Sequence, residues 1–280
     1  MLNAPVNRRV AFGCLVVLAA AVVPATREVS RRFLFRTDRV SEITTPTDAE
    51  IVTTIARDGV VVHALEMPAR PGQRVVVHFH NNSETMSGPI AMARALHAHG
   101  LGVVIVEYRG YGVSRATQSP SEAGVYRDAE AALDWLAARG IGADRIVLSG
   151  TSLGSGVAAE MARRGRGTAL VLISPYTSIP DLVTDRVPFA PARLLLADRF
   201  ETLAKARDIH VPTVVIHGSD DDVVPFWMGA RVASAIRDAR FVPVQDGRHG
   251  DGDLFARDEA RLVGEVLRVA RAGDQGNAAL

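Results

Sequence analysis

Ser152 lies in Gly150-Thr151-Ser152-Leu153-Gly154, between the apolar run Arg145–Ser149 and a stretch of small, helix-compatible residues. That order reads as strand, tight turn and helix. A serine at such a turn is held in a strained backbone conformation, and the flanking glycines keep neighbouring chain from clashing with it. Its hydroxyl is a weak nucleophile at neutral pH and needs a base within hydrogen-bond reach, itself oriented by a carboxylate. For a serine on a strand-to-helix turn these partners follow in the order acid, then histidine. Three aspartates stand where the acid is due, in His217-Gly218-Ser219-Asp220-Asp221-Asp222 after the apolar run Thr213–Ile216, and spacing alone does not choose among them. Beyond His217 the chain has a single histidine, His249, after the last apolar run. Acyl transfer also builds negative charge on a carbonyl oxygen, which preplaced backbone amides must meet. One is expected at Leu153, where the helix begins, and the other in the turn His80-Asn81-Asn82 after the apolar run Arg74–Phe79.

The elements that would position these groups alternate. Ala49–Met67 reads as two antiparallel strands about a two-residue turn at Asp58-Gly59. Strand-like runs follow at Arg74–Phe79, Gly102–Val106, Arg145–Ser149, Ala169–Ile173, Thr213–His217 and Phe241–Val244. Helical patterns lie between most of them, at Ile90–His99, Glu122–Ala138, Leu153–Arg164, Met228–Ile236 and finally Leu254–Val269. The expectation is an α/β fold with an eight-stranded, mostly parallel sheet and helices on both faces. Pro175–Asp208, with Pro180, Pro188 and Pro191, breaks the alternation at the end of the sheet where ligands bind, and reads as a small cap over about 176–208. The α/β domain is expected over 49–272, followed by a flexible tail, 273–280.

Composition narrows the chemistry. In 280 residues, 32 Lys and Arg against 31 Asp and Glu leave a net charge of +1, no field for nucleic acid. Cys14 is the only cysteine, so the body has no thiolate metal site or thiol nucleophile. No zinc, phosphate-loop or dinucleotide motif appears. His63, His97, His99, His210 and His217 read as structural or surface, and Asp220 and Asp222 as turn residues in water. At the N-terminus Arg8 and Arg9 precede the apolar stretch Val10–Val23. It is short of the ~20 residues that span a bilayer comfortably and suits a signal-peptide core, with Val23-Pro24-Ala25 as the cleavage site. Arg27, Arg31, Arg32 and Arg36 follow at once and oppose export. Residues 1–26 therefore read as a signal or a membrane anchor, with 27–48 as connector; a buried helix is the alternative. Membrane association through residues 10–25 and a membrane-anchored or exported location are expected, the side of the membrane staying open.

From about Glu50 to about Arg268 the chain resembles the α/β-hydrolases with a small cap, in the branch holding serine aminopeptidase-like and lysophospholipase-like proteins and membrane-associated protein depalmitoylases. The resemblance rests on Phe79-His80-Asn81-Asn82, Glu107-Tyr108-Arg109-Gly110-Tyr111-Gly112-Val113-Ser114, Tyr126-Arg127-Asp128-Ala129, Gly150–Gly154 and His217–Pro225. It implies the acid at Asp221, four residues after His217, an oxyanion donor at Asn82, and no cofactor. Asn81 stands where the family usually has glycine, a position Asn tolerates through left-handed backbone; Glu107 replaces the usual Asp. Arg32-Phe33-Leu34-Phe35 is similar to the connector of membrane-tethered members. The expected function is hydrolysis of carboxylic esters, thioesters or acyl-lipids through an acyl-enzyme on Ser152. The alternatives are a peptidase with Asp181, Asp185 or Asp198 as anchor for a substrate amine, and a membrane-tethered binding protein without catalysis.

Overall fold

The computed structural model describes residues 28–39, 47–115, 117–189 and 191–277. The expected signal or anchor, 1–26, lies outside them. Among the described residues no helix is long and apolar enough to cross a membrane.

Runs of Val, Ile and Leu form β3 (Val75–Phe79), β4 (Gly102–Glu107), β5 (Ile146–Thr151), β6 (Ala169–Ile173) and β7 (Thr213–Gly218), every residue of which is buried. Such continuous apolar runs are what parallel strands covered on both faces require. β1 (Glu50–Ile55), β2 (Val61–Met67) and β8 (Ala239–Val244) complete one eight-stranded sheet in the order β1-β2-β4-β3-β5-β6-β7-β8. β1 pairs with β2, and β2 with β4, in antiparallel fashion, and the remaining pairs are parallel. The helices are α1 (28–34), α2 (Ile90–Ala98), α3 (Glu122–Ala138), α4 (Leu153–Arg163), α5 (Ile179–Arg186), α6 (Ala192–Leu195), α7 (Thr202–Ala206), α8 (Phe226–Ala235) and α9 (Asp251–Asn277). Strand alternation sends Val77, Leu148 and Leu172 into the core under α3, α4 and α8, and Val76, Val147 and Val171 into the core under α2 and α9.

Two details differ from the sequence expectation. The β1–β2 connection has three residues, Arg57-Asp58-Gly59, because the Ala56 N–H still reaches the Val60 carbonyl at 2.8 Å and Gly59 turns left-handed at φ 82°. α9 starts at Asp251 rather than Leu254, is kinked at Asp258, and continues to Asn277, into the stretch read as a tail.

The motif Tyr126-Arg127-Asp128 explains itself in packing. Arg109, buried after β4, reaches Asp128 on α3 at 2.7 Å and Asp58 of the hairpin loop at 2.7 Å. Asp128 also accepts the Arg109 N–H at 2.9 Å. A buried cation is tolerable only with such partners. Asp128→Ala, which leaves the buried Arg109 with Asp58 as its one carboxylate partner among the described residues, is expected to destabilise the fold by about 3–5 kcal/mol. The check is the urea midpoint; a change under 1 kcal/mol would contradict this reading.

Candidate active site

The strand order reverses direction around β3 and β5, which lie side by side although the chain visits β4 between them. Their carboxyl ends flank the crevice that open α/β sheets use for ligands. In register Phe79 sits opposite Gly150, so the turn after β3 and the turn after β5 emerge at one level. At the second, Ser152 has φ 51° and ψ −116° and is 7% exposed. Its N–H donates to the Ile173 carbonyl on β6 at 2.9 Å, and its carbonyl accepts from the Ser155 hydroxyl at 2.6 Å. These bonds hold a backbone conformation that is unfavourable for any side-chain-bearing residue. A Cβ at Gly150 would run into the Gly154 carbonyl, and one at Gly154 into the Phe79 carbonyl. The first glycine lets the turn close; the second lets it pack on β3.

Asp221 follows β7. Its Oδ1 accepts the N–H groups of Val223 at 2.9 Å and Val224 at 2.7 Å, and its side chain is fully buried. The His249 Nδ1 lies 2.8 Å from Oδ2 and 2.9 Å from Oδ1, and the His217 Nε2 lies 3.3 Å from Oδ2. Burial works against the charge, but His217, His249 and the Val224 amide outweigh it and hold the carboxyl far below the usual carboxylate range. An ionised carboxylate only accepts hydrogen bonds, so His249 carries its proton on Nδ1 and presents a bare Nε2. Asp220 and Asp222 are exposed, and Asp220 accepts only from the Ser219 hydroxyl at 3.2 Å.

The histidine loop is tied to both neighbours. Asp220 N–H donates to the Gly247 carbonyl at 3.0 Å, and Asp246 N–H to the Ser219 hydroxyl at 2.8 Å. On the other side Gly250 N–H meets the Ser174 hydroxyl at 3.4 Å. Ser174, with φ 47°, is next in chain to Ile173, which holds the Ser152 amide. The end of β6 thus bridges the serine turn and the histidine loop.

Leu153 opens α4, where the first amides have no intrahelical partner. In the turn after β3 the Asn82 side chain donates to the Leu34 carbonyl at 2.9 Å, and the Asn82 carbonyl accepts from Arg36 N–H at 3.0 Å and the Tyr111 hydroxyl at 3.1 Å. Neither the Leu153 nor the Asn82 N–H donates to a protein acceptor among the described residues. Asn81 does not use left-handed backbone: its side chain accepts the Ser83 N–H at 2.8 Å, and its own N–H goes to Glu84 Oε1 at 3.1 Å. Glu107 faces the His80 ring at 3.3 Å and accepts from Met86 N–H at 3.4 Å, a structural tie between β4 and this turn.

Several residues here carried no sequence signal. Glu84, half-buried, and Asp251, buried, are acids beside the turn after β3, and Ser174 is a bridge that its spacing does not announce. His217, read as structural or surface, touches the acid; its four-residue spacing from Asp221 was the available clue. Among the described residues no group of three or more His, Cys, Asp or Glu side chains is arranged to hold a metal ion.

Burial and the nearby Asp251 carboxyl push Glu84 up to about 7. The folded protein then holds a proton that the unfolded chain has lost, so this group's contribution to stability declines as pH rises from about 4.5 to about 7. Glu84→Gln keeps an acceptor for the Asn81 amide and removes the titration. At pH 8 it is expected to be more stable than the parent, by up to about 3 kcal/mol, and at pH 4 to match it. Thermal unfolding at the two pH values checks this; equal pH dependence in both proteins would contradict it.

A strained serine on a strand-to-helix turn, followed by an acid and then a histidine on the ends of later strands, is the arrangement that α/β-hydrolase folds present. Comparison with known proteins agrees. The family model described as serine aminopeptidase, S33, matches residues 70–203. An uncharacterised protein of Mycobacterium tuberculosis is 37% identical over 179 residues, 63% of this chain and 62% of that protein. The lysophosphatidylserine lipase ABHD12 of Danio rerio is 33% identical over 179 residues, 56% of this chain and 46% of its own length. In both, the aligned stretch covers less than two thirds of the relative. Among solved structures, an esterase of Pyrococcus furiosus superposes with a TM-score of 0.65 at 16% identity, covering 83% of this chain and 97% of the esterase, a likeness of fold. The chain has the fold of the α/β-hydrolases.

Proposed function

We propose that the protein hydrolyses carboxylic esters through an acyl-enzyme on Ser152. The observation that carries this reading is the His249–Asp221 pair, bonded at 2.8 Å and bridged by Ser174 to the serine turn. His249 Nε2 takes the hydroxyl proton as Ser152 Oγ bonds to the ester carbon, and the carbonyl electrons move onto oxygen. That oxyanion is met by the amides of Leu153 and Asn82. Collapse breaks the ester C–O bond, and His249 returns its proton to the departing alkoxide. Water, deprotonated by the same nitrogen, then releases the acid and restores Ser152. Asp221 orients the imidazole and stabilises its charged form. The lipase activity named for the Danio rerio relative supports an ester substrate.

The peptidase alternative needs a free acid for a substrate amine. Asp198 is bound to Arg31 at 2.7 Å and Asp181 to Arg193 at 2.9 Å, so two of its three candidates are already engaged. Parallel assays on p-nitrophenyl butyrate and alanine p-nitroanilide separate the readings. Ester turnover without anilide turnover is expected, and the reverse would replace the proposal with the peptidase. The proposal includes an N-terminal signal or anchor over residues 1–26. Fractionation of cells expressing the full chain, with N-terminal sequencing of the product, tests it: a soluble, uncleaved cytoplasmic protein would refute both forms.

A further inference from the structure

A cavity of about 650 Å³ opens between α1 and the segment that follows β6, within the size range of small-molecule sites. Phe33 and Leu34 on the α1 side, with Val29, stand across from Leu182 on α5 and Leu196 after α6; Asn82 borders it from the turn after β3. Apart from Ser30 and Asn82 its lining is wholly aliphatic or aromatic. The two walls are joined to each other. Arg31 on α1 pairs with Asp198 at 2.7 Å, and Asp198 in turn accepts the Glu122 N–H at 2.8 Å. One residue past α1, Phe35 packs its ring edge-on against Phe200 with centroids 6.2 Å apart. A wall fixed by a part-buried ion pair and an aromatic contact is a built surface rather than a gap left by a loose helix.

Asn82 links this cavity to the chemistry. Its side chain and carbonyl are fastened to Leu34, the last residue of α1, and to Arg36 just beyond it, while its N–H has no protein acceptor among the described residues. An ester oxygen held by that N–H places its acyl carbon beside a residue that borders the cavity. The leaving alcohol must lie toward His249, which supplies its proton. His249 follows β8, on the far side of β5 from β3, the strand that leads to Asn82. The two halves of an ester are thereby assigned opposite directions: alcohol toward β7 and β8, acyl group toward β3 and α1.

We infer that this cavity is the acyl-chain subsite, that its ligand is an unbranched hydrocarbon chain, and that α1 is a wall of the active site rather than only a connector. The inference rests on ester hydrolysis as the reaction. It goes beyond that reading in placing the chain and in giving α1 a part in selecting it.

Kinetics on p-nitrophenyl esters from acetate to decanoate provide the test. Each methylene buried in the cavity is expected to raise kcat/KM about fourfold until the cavity is filled. Leu182→Trp, which fills it from α5, should lower the decanoate-to-acetate ratio at least tenfold. Phe33→Asp should do the same from α1, at a position 75% exposed, where folding is not at stake. Binding separates this inference from the reaction. Calorimetry of sodium decanoate with the Ser152→Ala protein should show affinity that either wall variant weakens at least tenfold. Unchanged selectivity and unchanged decanoate affinity in both variants would overturn the subsite. Wall-dependent binding of decanoate without hydrolysis of any ester would uphold the subsite and overturn the ester reading instead.

Discussion

Ser152→Ala lowers kcat/KM for ester hydrolysis by about 10⁶-fold while the protein stays folded, if the serine carries the acyl group. A loss of that size follows from how the parts depend on each other. With no nucleophile, the base at His249 has no proton to take, and what is left is the contribution of binding and the oxyanion donors, about 10³–10⁴ over water. Ser152→Gly is the more instructive companion. At φ 51° and ψ −116° the backbone strain at Ser152 is worth about 1–3 kcal/mol. Glycine relieves it but gives back about 0.5–1 kcal/mol through the greater freedom of the unfolded chain. The glycine variant should therefore be inactive and about 1 kcal/mol more stable than the parent. A urea midpoint that rises at unchanged slope, alongside lost activity, is the expected pair of results. A glycine variant less stable than the parent would mean that the turn is not strained.

Asp221→Asn should lower kcat by about 10⁴-fold in a protein that still folds. An asparagine oxygen can still accept from Val223 and Val224, so the loop keeps its shape. Its amide, however, can turn toward His249 as a donor, which moves the imidazole proton to Nε2 and leaves no base facing Ser152. Asp221→Ala should lose activity to the same degree and destabilise the fold by about 2–4 kcal/mol, because the Val223 and Val224 amides and the His249 imidazole lose an acceptor. The sign of the pH effect separates the variants further. The folded carboxyl is held below its unfolded range, so the stability it contributes is fully present above about pH 4 and is lost as the pH falls below that toward the folded value. The parent should lose stability in acid more steeply than Asp221→Asn. Identical acid unfolding curves would contradict the bonding assigned to this carboxylate.

The central strands were readable because a strand buried on both faces is apolar at nearly every position: Ala169–Ile173 is so throughout and Val75–Phe79 in all but His78. Ser152, its flanking glycines and His249 were equally visible, since chain order and strand ends leave one place for each. Asp221 could not be separated from Asp220 and Asp222 by spacing. What distinguishes it is that its oxygens point inward to the Val223 and Val224 amides, a property of loop conformation. The bonds that fasten Asn82 to Leu34 and Arg36 were invisible for a different reason. Both end on main-chain carbonyls and join residues far apart in sequence, and a main-chain acceptor leaves no residue type to read. Arg31 and Asp198 lie 167 positions apart, so their pairing is set by tertiary packing alone. α5, α6 and α7 are short and lie among prolines, with too few turns for a period to emerge.

The most direct measurement is the mass of the protein quenched in acid during turnover of p-nitrophenyl butyrate, with the modified peptide sequenced. The account predicts an added butyryl group on Ser152, absent from the Ser152→Ala protein. Turnover with the label on another residue, or with no acylated protein at any time before steady state, would contradict it.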